Sequence, residues 1–206
     1  MNQNNLPDHP LSDQLHISAA ELATRLAFLS FTRADEENLR EIAAIFRADV
    51  EPVIDEFYRH LHQFEELRDI LSDPALLARL KESQRAYLLS FESASFGVEY
   101  AERRLRIGLV HEQIGLPQKW YLGAYRLLSE LVSRRLTERY ATDGRRLAAL
   151  ILTLNKILRL DEIFVVEAYY HMSTQRLEQS VKEAQEARRQ IELLSRLDPL
   201  PRIQNR

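Results

Sequence analysis

An all-α fold is predicted, and three features of the sequence predict it. The 206 residues include only five glycines and seven prolines, too few for the many turns of an all-β chain. Alanine, leucine, glutamate and arginine, all strong helix formers, dominate the composition. Apolar residues recur at i, i+3, i+4 and i+7, the period of a helix buried along one face, as in Leu39, Ile42, Ala43 and Phe46. Hydrophobic residues make up 45% and charged residues 29%, a globular balance with material for one sizeable core. The net charge of −3 gives no electrostatic drive toward nucleic acid or an anionic membrane, so neither is an expected partner. Cysteine is absent, which excludes disulfides, thiolate-ligated haem and cysteine zinc sites. No apolar run reaches the ~20 residues of a membrane span, and MNQNNLPDHP is no signal peptide, so the expected location is cytoplasmic.

The elements follow in order. Residues 1–17 are polar and proline-containing and read as a mobile tail, with His9 and His16 outside any site. Ser18 with Glu21 offers a capping box for a helix to Leu29, and Thr32 with Asp35 offers another for Arg33 to Asp49. Pro52 marks a new helix start, with Val53, Ile54, Phe57 and Leu61 on its buried face and Tyr58 at the edge. His60 and His62, two apart, point to opposite sides of that helix and share no metal. Asp73 caps a helix opened by Pro74, with Leu76, Leu77, Leu80, Ser83, Tyr87 and Phe91 along one stripe. Pro117 opens a helix to Tyr140. From Arg145 to Leu197 there is neither proline nor glycine, roughly 80 Å of helix at 1.5 Å per residue. Leu147, Ile151, Leu154, Leu158, Ile163 and Val166 suit a core, whereas Leu177, Val181, Ala184 and Ile191 lie near heptad spacing in a charged background. Arginines 103, 104 and 106, and 134, 135, 139, 145 and 146, read as solvated faces.

The chain is organised around Leu105 to Tyr125, which holds Gly108, Gly115 and Gly123, three of the five glycines. On a helix from Arg103 to Ile114, His111 has Ile107 and Gly108 behind it and Ile114 and Gly115 ahead, its i±3 and i±4 neighbours. Two readings stand. A flat, bulky ligand approaches a face cleared by glycines and meets one imidazole. Alternatively His111 is a core histidine, Gly115 caps the helix and Pro117 opens the next one.

The pattern IGxxHxxIGLPxxWY, here Ile107, Gly108, His111, Ile114, Gly115, Leu116, Pro117, Trp120 and Tyr121, resembles the proximal region of the sensor globins of bacterial globin-coupled sensors. The similarity runs from about residue 20 to about residue 180. It implies a globin-like fold with an extra N-terminal helix and an extended C-terminal helix. It also implies haem b as cofactor, with His111 as the proximal ligand of the iron. Tyr58 matches the family's B-helix distal tyrosine, Leu80 the E-helix position where storage globins carry histidine, and Ser83 a position for a small hydroxyl residue. Phe57, Ile107, Ile114 and Tyr121 complete the implied cofactor-binding set, Tyr121 as a neighbour of the proximal histidine. The implied ligands are small gases, O2 and also CO or NO. A phenol donor at Tyr58 favours O2, which becomes partly negative on ferrous iron, over the nearly neutral CO.

The terminal LSRLDPLPRIQNR resembles the entry segment of diguanylate cyclase domains but departs from it at Pro201, Arg202 and Ile203. The expected division is therefore a tail at 1–17, a sensor globin at 18–175, a helical linker at 176–197, and at 198–206 the start of an output domain or a remnant of cloning. A homodimer is expected through helices 117–140 and 145–197, on the apolar excess of Leu122, Leu127, Leu128, Leu131, Ile151, Leu154 and Leu158. The competing classes are a haemless helical dimerisation module and a globin acting on nitric oxide or carrying oxygen. Residues 1–206 by themselves carry no catalytic residues for a cyclase.

Overall fold

The computed structural model describes residues 9–93 and 95–197, and among these it contains helices and no strand. The helices are α1 (Leu11–Gln14), α2 (Ala19–Phe28), α3 (Arg33–Leu61), α4 (Glu65–Ile70), α5 (Pro74–Leu89), α6 (Val98–Gln113), α7 (Gln118–Arg139) and α8 (Gly144–Leu197), with a 3-10 turn at Ser90–Ser93. The segment LDPLPRIQNR lies outside the described residues apart from Leu197, the last residue of α8.

Local chemistry sets the helix ends. The Ser18 hydroxyl accepts from the Glu21 N–H at 3.2 Å, and Thr32 and Asp35 form a reciprocal capping box. Asp73 accepts from the Ala75 N–H at 2.9 Å with Pro74 in the first turn, where no N–H is required. The expected break at Pro52 does not occur, because α3 runs through it for 29 residues. The interior proline costs about 3 kcal/mol, but the Ala48 carbonyl that it frees is on the exposed side. Val50, Val53, Ile54 and Phe57 are buried opposite, and their burial outweighs that cost.

The tail expected through residue 17 is also corrected from residue 11 onward. Leu11 and Ile17 are buried, α1 packs on α6, and the Ser12 N–H donates to Glu102 Oε2 at 2.8 Å. Two apolar side chains are enough to fold this segment onto the body.

α8 is the spine. α6, α7 and α3 all pack on it, and Leu150, Leu154, Ile157, Leu158, Phe164, Val165 and Ala168 bury its inner face. Of the residues read as core, Val166 is exposed and Leu147, Ile151 and Ile163 are half-buried, one step off the buried stripe. From Leu177 to Leu194 every side chain is exposed. Among the leucines that motivated a dimer, Leu128, Leu131, Leu154 and Leu158 are buried within the chain itself. Leu122 of that set is exposed on α7, and on α8 the exposed apolar residues are Leu152, Val166 and Tyr170 and, further on, Leu177, Val181, Ile191, Leu193 and Leu194. Among the described residues no helix is long and apolar enough to cross a membrane.

Candidate functional site

α6 ends in a turn that explains Gly115. Gly115 has φ +71, its N–H donates to the Glu112 carbonyl at 2.9 Å, and the Leu116 N–H donates to the His111 carbonyl at 3.0 Å. This paired arrangement is a Schellman cap and favours a residue without Cβ. Gly108 has a different task. A Cβ there would lie 2.8 Å from Ala168 Cβ and 3.1 Å from the Val165 backbone, so the glycine lets α6 close on α8. Gly108 thus serves helix packing and Gly115 helix capping, while a Cβ at Gly115 or Gly123 would meet nothing within 4 Å.

His111 sits in the last turn of α6. Its Nδ1 is 2.7 Å from the Ile107 carbonyl, which only accepts, so Nδ1 carries the proton and Nε2 keeps its lone pair. Nε2 has no hydrogen-bond partner among the described residues. Burial holds the imidazole below its ordinary pKa, against the carbonyl bond that favours the cation, so the ring is neutral near pH 7. Tyr121 of α7 meets the ring edge-on with centroids 4.8 Å apart. A neutral, tautomer-fixed imidazole with a free Nε2 is the form that ligates a metal.

The distal residues lie on α3 and α5, which are joined by the Lys81–Asp55 ion pair at 2.6 Å. Phe57 and Tyr58 are buried with their rings 5.3 Å apart, edge to face. The Tyr58 hydroxyl has no hydrogen-bond partner among the described residues, and burial pushes its pKa well up, so it remains a protonated, unspent donor. Leu80 and Ile107 are half-buried, Ile114 is exposed at the turn, and Ser83 is exposed with no hydrogen bond. α5 rests on α3 while α6 rests on α8, and no extensive packing joins α5 to α6. The imidazole is thus carried by α6 and the phenol by α3, two helices that both pack on α8.

Beside this site lies a buried polar network that was not legible in the sequence. Arg104, read as part of a solvated face, is 3% exposed and its Nε is 3.1 Å from Asp161 Oδ1. Asp161 is fully buried on α8 and accepts from the hydroxyls of Tyr87, at 2.7 Å, and Tyr100. The Arg104 guanidinium lies over both rings, 4.5 and 4.3 Å from their centroids. One signal was available: Tyr100, Ala101, Arg104, Leu105 and Gly108 form a single helical stripe in which Arg104 is the lone charge.

Among the described residues no three His, Asp or Glu side chains converge as a metal cluster. His171 bonds Gln14 at 3.1 Å and is committed elsewhere.

Helices packed on the long spine of α8, with a buried, tautomer-fixed histidine in the last turn of α6, have the arrangement of a globin. The chain belongs to the Protoglobin family, which matches residues 18–174. It is 31% identical over 196 residues to the heme-based aerotactic transducer HemAT of Halobacterium salinarum, a match covering 89% of this chain and 40% of that protein. The chain thus spans about 40% of the length of this curated relative. Its fold is similar to the globin domain of the Geobacter sulfurreducens globin-coupled sensor, with a TM-score of 0.67 at 20% identity, covering 71% of this chain and 96% of that domain.

Proposed function

We propose that this chain is a haem b gas-sensor domain that holds iron through His111, responds to O2 and passes ligand state along α8 to an output domain. The observation that carries this reading is the pairing of Nδ1 with the Ile107 carbonyl, which leaves Nε2 as an aimed, neutral donor. Absence of cysteine supports haem b, since covalent c-type attachment needs thiols. When bound, haem would supply a ferrous iron able to take up a diatomic gas, with His111 as the residue that would hold it.

The side chains of this protein divide the remaining work. His111 Nε2 holds the iron and the Ile107 carbonyl fixes the plane of the imidazole. Tyr58 offers its hydroxyl proton to the gas ligand, and the apolar Phe57, Leu80, Ile107 and Ile114 keep water from the slot. Tyr121 supports the imidazole edge. Ser83 is assigned the role of a second, weaker donor at the exposed rim of α5.

Two chains associate, in this reading, through the uncovered apolar residues of α7 and α8, with the Leu177, Val181, Ala184 and Ile191 seam continuing as a coiled coil. Sensor globin at 18–175 and linker at 176–197 is the division that follows. The resemblance of the C-terminal segment supports a diguanylate cyclase as output, and the HemAT relative supports a transducer in its place.

The test is spectroscopy of the purified chain. A red protein with one haem per chain, whose ferrous spectrum changes reversibly with O2, is expected. A colourless chain that takes up no added haem overturns the reading in favour of a haemless helical module.

A further inference from the structure

A buried ion pair is weak evidence of stability, because desolvating two charges offsets their attraction. The Arg104–Asp161 pair therefore needs another account, and its connections supply one. Asp161 on α8 takes hydroxyl donors from α5 through Tyr87 and from α6 through Tyr100, so one carboxylate joins three helices. Arg104 is stacked on both phenols, yet its buried Nε has no aligned acceptor. Its geometry is thus set by stacking and charge, not by a closed set of hydrogen bonds.

Tyr100, Arg104 and His111 stand at i, i+4 and i+11 on α6, within about 40° of one another around the axis at 3.6 residues per turn. A rotation of α6 that strains the Asp161 contacts turns His111 by the same angle. A second link runs through α7, where Tyr121, edge-on to His111, donates to the Tyr125 hydroxyl at 3.2 Å. Tyr125 is buried, and burial together with the nearby Asp161 charge pushes its phenol up. The cluster and the imidazole thus share α6, and Tyr125, two rings from His111, lies near enough to Asp161 to feel its charge.

We propose that Asp161, acting through Arg104, Tyr87 and Tyr100, is a positioning residue that fixes the rotation of α6 and with it the orientation of His111 toward the iron. The proposal rests on the haem reading above. In it, the slot's proximal bond is tuned from α8, the same helix that leaves the domain, so displacement of α8 and the strength of that bond are coupled in both directions.

Asp161→Asn alone leaves Arg104 buried without its counter-charge, a cost that by itself strongly destabilises a fold, so it is not the test. The informative variants are Tyr100→Phe, Tyr87→Phe and the double replacement Arg104→Met with Asp161→Leu, which removes both charges and keeps the volume. Thr153→Val is the control, since Thr153 belongs to a separate buried network with Asp35 and Asn38 between α3 and α8. Two readouts are made on each chain. The first is the His111 imidazole NMR signal in haem-free protein. The second, in haem-loaded ferrous protein, is the iron–histidine stretching band by resonance Raman together with the O2 dissociation rate.

The network variants are expected to move the His111 signal and the stretching band and to change the O2 dissociation rate by about three- to tenfold. Thr153→Val is expected to move none of them, whatever its melting temperature. A His111 signal and stretching band identical to the parent in all network variants overturns the proposal, as does an equal shift in Thr153→Val. If the parent takes up no haem, the haem reading is what fails, and the haem-free His111 signal still decides the positioning role.

Discussion

The hydroxyl of Tyr169 on α8 donates to the Leu116 carbonyl at 3.1 Å, and the Leu116 N–H donates in turn to the carbonyl of His111 at 3.0 Å. Glu112, the residue after His111, forms an ion pair with Arg176, beyond which every side chain of α8 through Leu194 is exposed. Among the described residues the last tie of α8 to the body, Arg176 to Glu112, is thus made at the end of α6 that carries His111, just beyond the His171 and Gln175 contacts with Gln14 of α1. Burial pushes the Tyr169 phenol up to about 12, so it donates throughout the physiological range. Tyr169→Phe is expected to cost about 0.5–1.5 kcal/mol and to speed amide exchange at Leu116 and along α8 after it. Denaturant titration and exchange mass spectrometry check this, and unchanged exchange at both places refutes the tie.

His111→Ala is expected to leave a folded helical chain that retains little haem, with binding restored by added imidazole. Absorption spectra and pyridine haemochrome assay measure it. Normal haem content in the variant would transfer the ligand role to another histidine.

Tyr58→Phe removes the unspent donor without changing shape. A hydrogen bond to a partly charged ligand is worth about 1.5–3 kcal/mol, so O2 is expected to dissociate about ten- to a hundredfold faster. CO dissociation serves as the internal control and should barely move. Equal acceleration of both gases would mean a steric effect.

Gly108→Ala places a methyl group 2.8 Å from Ala168 Cβ and against the Val165 backbone, neither of which is a flexible chain end. Overpacking of this kind costs about 1–3 kcal/mol, more than the about 1 kcal/mol that alanine gains in helix propensity. A lowered midpoint in urea is expected, and a raised one would show that α6 and α8 separate freely.

Acid should release the haem through His111. Burial lowers its folded pKa below the unfolded value of about 6.5, so the neutral ring contributes stability that is fully present above that pH. The contribution is lost as pH falls through the folded value, and protonation of Nε2 removes the lone pair at the same time. Haem retention followed spectroscopically from pH 8 downward is expected to hold through about 6.5 and fail below it. Retention that falls instead on going above pH 7 contradicts this sign.

The helices and most of their ends were legible in the sequence because a cap, a starting proline or a 3.6-residue apolar period acts over a few neighbours. Ser18, Thr32, Asp73 and Pro117 marked their helices for that reason, and the spacing around His111 marked the candidate ligand. Where two local rules compete, tertiary burial decides: Pro52 signalled a break, yet one buried stripe from Val50 to Tyr58 carries α3 through it. Gly108 was legible as unusual but not in purpose, since only the approach of Ala168, sixty residues away, shows what its missing Cβ admits. Arg104 and Asp161 each looked like a charge on a helix and became a buried pair when α5, α6 and α8 converged. Sequence thus determined the periodic, local part of this protein, the helices and the histidine. Tertiary structure alone decided which charges are desolvated, because desolvation depends on the side chains that distant helices bring to the same point.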